Sequence, residues 1–376
     1  MIDAVRKAEL KHLIETSMDQ EKKILNGNHS KGSIREMHKT HKQDFLQRNR
    51  AFWDQNKATC KDFLIDGTGI TPNKIQPKLI PIPDSTHPAA TIFRLASFNW
   101  SIPTSRGFGR RLRFLVWDDF HNSLIGLIGL TDPVFNLKVR DELIGWNSDD
   151  RKARLSGMLD AFVLGALPPY SLMLGGKLVA SLLASATIQK IFEEKYQGKA
   201  GLISGKTKPA ILSAITTTSV LGRSSVYNRL RLDGRLILEP IGFTSGYGHF
   251  QFSDDLFSKL KSLVASEYPE KANSFDFGKG PNWKIRVIRD ALKLLDIDQN
   301  AVKHGIRREV FFCRLYEDAE NYLKTGIAPT RPLVRHEKTI AQQALDRWLI
   351  PRTERDQSYK AFSCEQWLKK VDEAYK

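Results

Sequence analysis

The residues best placed to do chemistry lie between Leu159 and Ser181, in the stretch LDAFVLGALPPYSLMLGGKLVAS. An apolar run from Ala161 to Leu167, suited to a strand buried on both faces, stops at Pro168 and Pro169, which have no N–H to extend a ladder. Gly175, Gly176 and Lys177 follow and open a run whose apolar residues (Leu178, Leu182, Leu183, Ile188, Ile191, Phe192) have helical spacing. Strand, glycine turn and helix in that order make a corner where backbone N–H groups and the positive end of a helix can meet a phosphate. A tight turn or close packing uses paired glycines equally well. A P-loop is excluded, because Leu178 rather than Ser or Thr follows the lysine and the upstream glycine is missing.

Asp132, Asp141 and Asp160 stand near expected strand ends, where converging carboxylates could gather Mg²⁺ for phosphodiester cleavage. Aspartates at such ends also cap turns and helices, and this spacing matches no nuclease motif, so no metal site is assigned and Asp160 is retained as a catalytic candidate. Ser171 and Ser224 lack placed His and Asp partners for a hydrolase triad. Cys60, Cys313 and Cys364 are far apart and odd in number, which argues against a disulfide framework or a zinc site and for a reducing compartment. Met1 to Leu25 is charged throughout rather than signal-like, and no run reaches membrane-span length, so a cytoplasmic protein is expected.

The net charge of +16 and an isoelectric point near 9.6 favour polyanionic partners, nucleic acid (DNA first) ahead of an anionic membrane surface. Three groups could meet phosphates. Lys39, Lys42, Arg48 and Arg50 are interleaved with Phe45, Phe52 and Trp53. Arg110, Arg111 and Arg113 belong to the basic turn Arg106-Gly107-Phe108-Gly109-Arg110-Arg111-Leu112-Arg113. Arg307 and Arg308 stand in His304-Gly305-Ile306-Arg307-Arg308-Glu309, between two expected helices whose arrangement would suit DNA. A charged face over an aromatic stripe, with no ligand, has the same pattern.

These residues need a scaffold, and 376 of them can bury a substantial core. The pattern predicts an α/β (α+β) protein with a central mixed sheet flanked by N- and C-terminal helical regions. Residues 1–68 read as a basic helical region with a capping box at Ser33-Ile34-Arg35-Glu36, and residues 69–90 as a Pro-rich surface linker. Residues 91–253 read as the core. Its strands begin at Thr91; a hairpin turns at Asp118–Asn122, and Gly126 and Gly129 in the next strand suggest a bulge or a very close neighbour. A buried strand spans Pro209–Thr218, Ser224 caps a helix through Tyr227, and Leu236–Phe243 with Tyr247–Phe252 close the sheet. Residues 254–376 read as helical, with one amphipathic helix from Trp283 to Leu295 and another through Val310, Phe311, Phe312, Leu315 and Tyr316.

This element order resembles the acyl-CoA-dependent N-acetyltransferase fold. The resemblance implies a CoA-type cofactor at Tyr170, Gly175, Gly176 and Lys177, and Tyr227 as general acid, although one of three signature positions of that family's turn, Gly175, is kept. A resemblance covering more of the chain is carried by Leu124–Phe135, Ile144-Gly145-Trp146, Asp160–Ala166, Pro169-Tyr170-Ser171, Leu174–Leu178, Thr216–Ser219, Leu221–Tyr227 and His304–Arg308. These segments look like the DruA family of the bacterial Druantia anti-phage defence system. That implies a role beside other system proteins, a large helicase included, and assigns no reaction. The expectation is therefore a nucleic-acid-binding defence protein on a degenerate enzyme scaffold. Alternatives are an active CoA-dependent group transferase on a nucleobase or protein, and a non-catalytic scaffold for partner subunits.

Overall fold

Prolines at both ends of Pro77-Lys78-Leu79-Ile80-Pro81 confine that segment to a sheet edge. In the computed structural model of the chain it lies there, as β1 (Pro77–Pro81) paired antiparallel with β2 (Arg111–Asp118). The segment 69–90 thus contributes an edge strand, with Leu79 buried, where a surface linker was expected. The structure describes residues 4–25, 30–104, 107, 109–201, 205–248, 252–269 and 283–374. Arg106 and Phe108 of the basic turn, and residues 249–251 of the expected last strand, lie outside the described residues.

β2 forms the expected hairpin with β3 (Ser123–Thr131) around a turn with Asn122 at φ 47°. β4 (Met158–Ala166) runs antiparallel to β3, and β5 (Ala214–Thr218) runs parallel to β4. A small hairpin, β6 (Arg231–Leu232) and β7 (Arg235–Leu236), precedes β8 (Glu239–Phe243) and β9 (Glu309–Arg314). The seven-stranded sheet has the order β1-β2-β3-β4-β5-β9-β8. Register slips occur beside both strand glycines, and Cβ atoms there would collide: Gly126 with the Gly165 carbonyl at 2.4 Å, Gly129 with the Phe162 ring at 2.7 Å.

Several expectations are corrected. Pro88 at the first turn and the His87 ring accepting the Ala89 N–H start a helix, Pro88–Ala96, where strands were expected from Thr91. Val310-Phe311-Phe312 is strand rather than helix. β9 lies inside the sheet with both faces covered, so its apolar run is continuous and carries no period that separates strand from helix. The segment 221–230 forms successive turns rather than a helix, with Gly222 (φ 80°) and Arg229 (φ 58°) left-handed, though Ser224 does accept the Val226 and Tyr227 N–H groups. Ser30, not Ser33, caps the Lys31–Met37 helix. Tyr247 makes one bridge to Lys303 instead of a sheet strand.

By internal contacts the chain divides into two compact units, residues 1–41 with 243–308, and residues 42–242 with 309–376. In the first, Leu10 and Ile14 of the Ala4–Leu25 helix pack with Leu260 and Leu263 of Asp254–Glu267 and with Val287, Ile288 and Leu292 of Trp283–Leu294. The second holds the sheet. One of its faces presents Phe114, Leu159, Ala161, Ile215 and Phe311 to the helices Gly175–Ser181 and Ala186–Tyr196. The other face carries two separate apolar clusters, one around Leu115, Leu127, Val163 and Phe93, the other around Met158, Ala214, Phe312 and Trp146. Each fully buried Leu, Ile or Phe in these layers contributes roughly 1.5–3 kcal/mol. Among the described residues no helix is long and apolar enough to cross a membrane.

Candidate nucleic-acid interface and a polar seam in the sheet

Arg111 and Arg113 alternate at the start of β2, and the end of the Ala186–Tyr196 helix runs back to meet them. The Tyr196 hydroxyl accepts the Arg111 N–H at 2.8 Å and donates to the Arg111 carbonyl at 2.9 Å. Lys195 Nζ reaches the carbonyls of Pro83 and Arg111, and Arg113 donates to the Asp84 carbonyl. Burial, then Arg113 and Lys199, push the Lys195 ammonium below its ordinary range, with the Asp84 carboxylate opposing. Burial and then Arg111 do the same to Arg113. Arg111 and Lys199 are exposed. Farther along, burial, Arg110 and Lys206 depress Lys208. A belt of cations therefore joins the start of β2, the end of one helix and the segment leading to β5. Lys195, Lys199, Lys206 and Lys208 were missed from the sequence, although they fall within one stretch of fourteen residues; the helix Ala186–Tyr196 returns that stretch to the start of β2.

Not every expected phosphate ligand is available to solvent. Arg110 pairs with Asp132 at 2.7 Å, donates to the carbonyls of Ser156 and Met158, and lies over the Phe192 and Tyr196 rings. It ties β2 to the start of β4. Lys42 buries its ammonium against the Phe98 carbonyl at 2.9 Å, and burial lowers its pKa to about 8. Lys39, Arg48 and Arg50 are exposed, and Lys39 and Arg50 pair locally with Glu36 and Asp54. Arg307 is exposed over the Phe243 ring, whereas Arg308 is half-buried, its N–H donating to Thr244 Oγ1. Arg307 and Arg308 lie in the unit that includes residues 243–308, and Arg110, Arg111 and Arg113 in the sheet-bearing unit.

The second feature is a polar seam between the two apolar clusters on one sheet face. Register sets Thr131, Asp160 and Thr216 side by side on β3, β4 and β5, and the Thr216 hydroxyl donates to Asp160 Oδ1 at 2.7 Å. Burial pushes the Asp160 carboxyl up to about 6, with Thr216 and the Arg140 charge opposing. Arg140 is wholly buried, held by Asp141 at 2.6 Å and by the carbonyls of Val134 and Phe135. A carboxyl poised near neutrality can give or take a proton. Asp132 and Asp141 are held by Arg110, Arg140 and Arg151 rather than facing Asp160 as metal ligands, and among the described residues no group of His, Cys, Asp or Glu could hold a metal ion.

The structure does not bring the two catalytic candidates together. Asp160 aligns with Thr216 and Phe312, while Tyr227 packs edge-on against Phe311, the next residue of β9, which points to the opposite face. β4 pairs with β5 only as far as Ala161, and beyond that point the Tyr227 hydroxyl donates to the Leu164 carbonyl at 2.8 Å. Burial raises its pKa well above the ordinary tyrosine range. The glycine corner has the expected order, a strand and then the Gly175–Ser181 helix, and both glycines are closely packed. A Cβ on Gly175 would stand 2.6 Å from the Tyr170 carbonyl oxygen, and one on Gly176 3.2 Å from Val226. Lys177 donates to the Val226 carbonyl and lies over the Trp348 ring. Tyr170 is wholly buried, its hydroxyl donating to Asp118 Oδ2 and meeting Ser123 Oγ, both at 2.7 Å. His121 Nδ1 contacts the same Asp118 oxygen at 2.6 Å, and its Nε2 accepts the Thr71 N–H.

Residues 28–325 match the family described as Druantia protein DruA. A protein of that description from Escherichia coli (strain UMEA 4076-1) is 45% identical over 332 residues, covering 88% of this chain and 82% of the relative. No solved structure matches the chain, so the likeness to the acetyltransferase fold stands on element order alone.

Proposed function

The chain belongs to the DruA family, a component of the Druantia anti-phage defence system, and from that premise we propose that it serves defence by binding nucleic acid along the cationic belt of β2 and the Ala186–Tyr196 helix. The crowding of Arg111, Arg113, Lys195 and Lys199 carries this reading. Burial first, and then the charges of Arg111 on Arg113 and of Arg113 and Lys199 on Lys195, disfavour these cations, and a phosphate backbone would offset that repulsion. DNA is the favoured ligand. A helicase among the system's other proteins would supply parted strands to the belt.

Filter binding over a salt series, with single- and double-stranded DNA in parallel, tests it. Arg111→Glu combined with Lys199→Glu should weaken binding to every sequence and flatten the log–log salt slope by about 0.9 per lost contact on duplex and about 0.7 on single strands. Arg110 is left intact because its pair with Asp132 is structural. No binding at low salt, or an unchanged slope in the double variant, would overturn the reading.

A further inference from the structure

Beside the belt lies a cleft of about 580 Å³, within the range of small-ligand sites. It is bounded by the Ala186–Tyr196 helix, the segment 207–212 and Tyr316. Its chemistry is asymmetric. Tyr316 and Pro209 are among its lining residues and bring two rings to it. Glu193 contributes a carboxylate with two acceptor oxygens, and Lys208 an ammonium with donors only. Gln197 and Gln189 add amides, the latter fixed by donating from Nε2 to the Leu212 carbonyl at 3.0 Å, which leaves its carbonyl oxygen to accept.

We propose that this cleft receives a single unstacked guanine base of the nucleic acid held on the belt, an inference that rests on the proposed nucleic-acid reading and deepens it. A carboxylate accepts two hydrogen bonds side by side from guanine N1–H and the N2 amino group, an edge that no other common base presents. Lys208 complements the guanine acceptors O6 and N7, and the Tyr316 ring supplies a stacking surface. Lys208 belongs to both the cleft and the belt, so a base in the one keeps its phosphate beside the other.

The test uses the full chain and short single-stranded oligonucleotides with one central guanine, the same strand with hypoxanthine (which lacks the N2 amino group), and the same strand abasic at that position. The guanine strand should bind ~10-fold more tightly than the abasic strand, with hypoxanthine between them. Glu193→Gln should abolish the guanine–hypoxanthine difference, and Tyr316→Leu should reduce the advantage over the abasic strand. Glu193 is on the exposed face of its helix, so Glu193→Gln keeps the test readable if Tyr316→Leu fails to fold. Salt-dependent binding that ignores base identity in the wild-type protein would overturn the guanine site and leave the belt standing. Absence of binding to every strand at low salt would overturn both.

Discussion

Replacing Asp160 with Asn should make the protein more stable at neutral pH. The folded carboxyl titrates at about 6 against an ordinary 3.8. The native state therefore holds this proton more tightly than the unfolded chain. Its stability gains as pH falls through about 6, and above that pH it carries the full cost of a buried charge. At 1.36 kcal/mol per pH unit the difference amounts to about 3 kcal/mol at pH 7.5, net of the help from Thr216 and Arg140. Asn keeps an acceptor for the Thr216 hydroxyl and removes the charge, so Asp160→Asn should gain up to ~3 kcal/mol over wild type at pH 7.5, and the gain should vanish near pH 4. Urea unfolding of both proteins at intervals across that range, read by tryptophan fluorescence, measures the difference. A variant less stable than wild type at pH 7.5, or a difference that does not change with pH, refutes the argument. A stabilised variant that no longer protects cells from phage would mark the seam as functional, because sites keep costly groups for what they do.

Tyr227→Phe should cost about 1–2 kcal/mol, since it leaves the Leu164 carbonyl without its hydroxyl partner, and a urea midpoint equal to wild type would remove the structural role argued for that bond. Gly175→Ala should destabilise by ~1–3 kcal/mol, because its Cβ would stand 2.6 Å from the Tyr170 oxygen; a fully stable variant would mean the corner is looser than described. Tyr170→Phe should cost about 1–3 kcal/mol by stripping a hydrogen bond from the wholly buried Asp118, and a melting temperature within a degree of wild type would count against it.

Where an element has a period or a punctuating residue of its own, the chain announces it: the β2–β3 hairpin, the glycines beside its register slips, and the end of β4 at Pro168 were all legible. β9 was not, because Val310-Phe311-Phe312 has no polar residue to set a period, and only the strands on either side make it a strand. Charge was legible in amount and partly in place. Arg111 and Arg113 were singled out, but Lys195, Lys199 and Lys208 join them only once a helix returns to β2, and Arg110 and Lys42 were drawn inward by Asp132 and by the Phe98 carbonyl. Asp160 could be suspected from its place near a strand end. Its environment could not, since Thr216 and Arg140 approach through register and tertiary packing, with nothing local to mark them. Nor could the sequence show that Asp160 and Tyr227 sit apart, a separation set by one step of strand alternation that sends Phe312 and Phe311 to opposite faces.

The unit made from residues 1–41 and 243–308 has a consequence for how the protein is born. The helix carrying Leu10 and Ile14 leaves the ribosome long before Leu260 and Val287 exist to cover it. At about 5–20 residues per second the wait is roughly 12–55 s, with that apolar stripe exposed. The sheet waits as well, because β9 sits between β5 and β8 yet is made after both. Nascent chains of this protein therefore pass through a stage in which both units are begun and neither is finished, and chaperone capture during synthesis would set how much of it a cell under phage attack can muster.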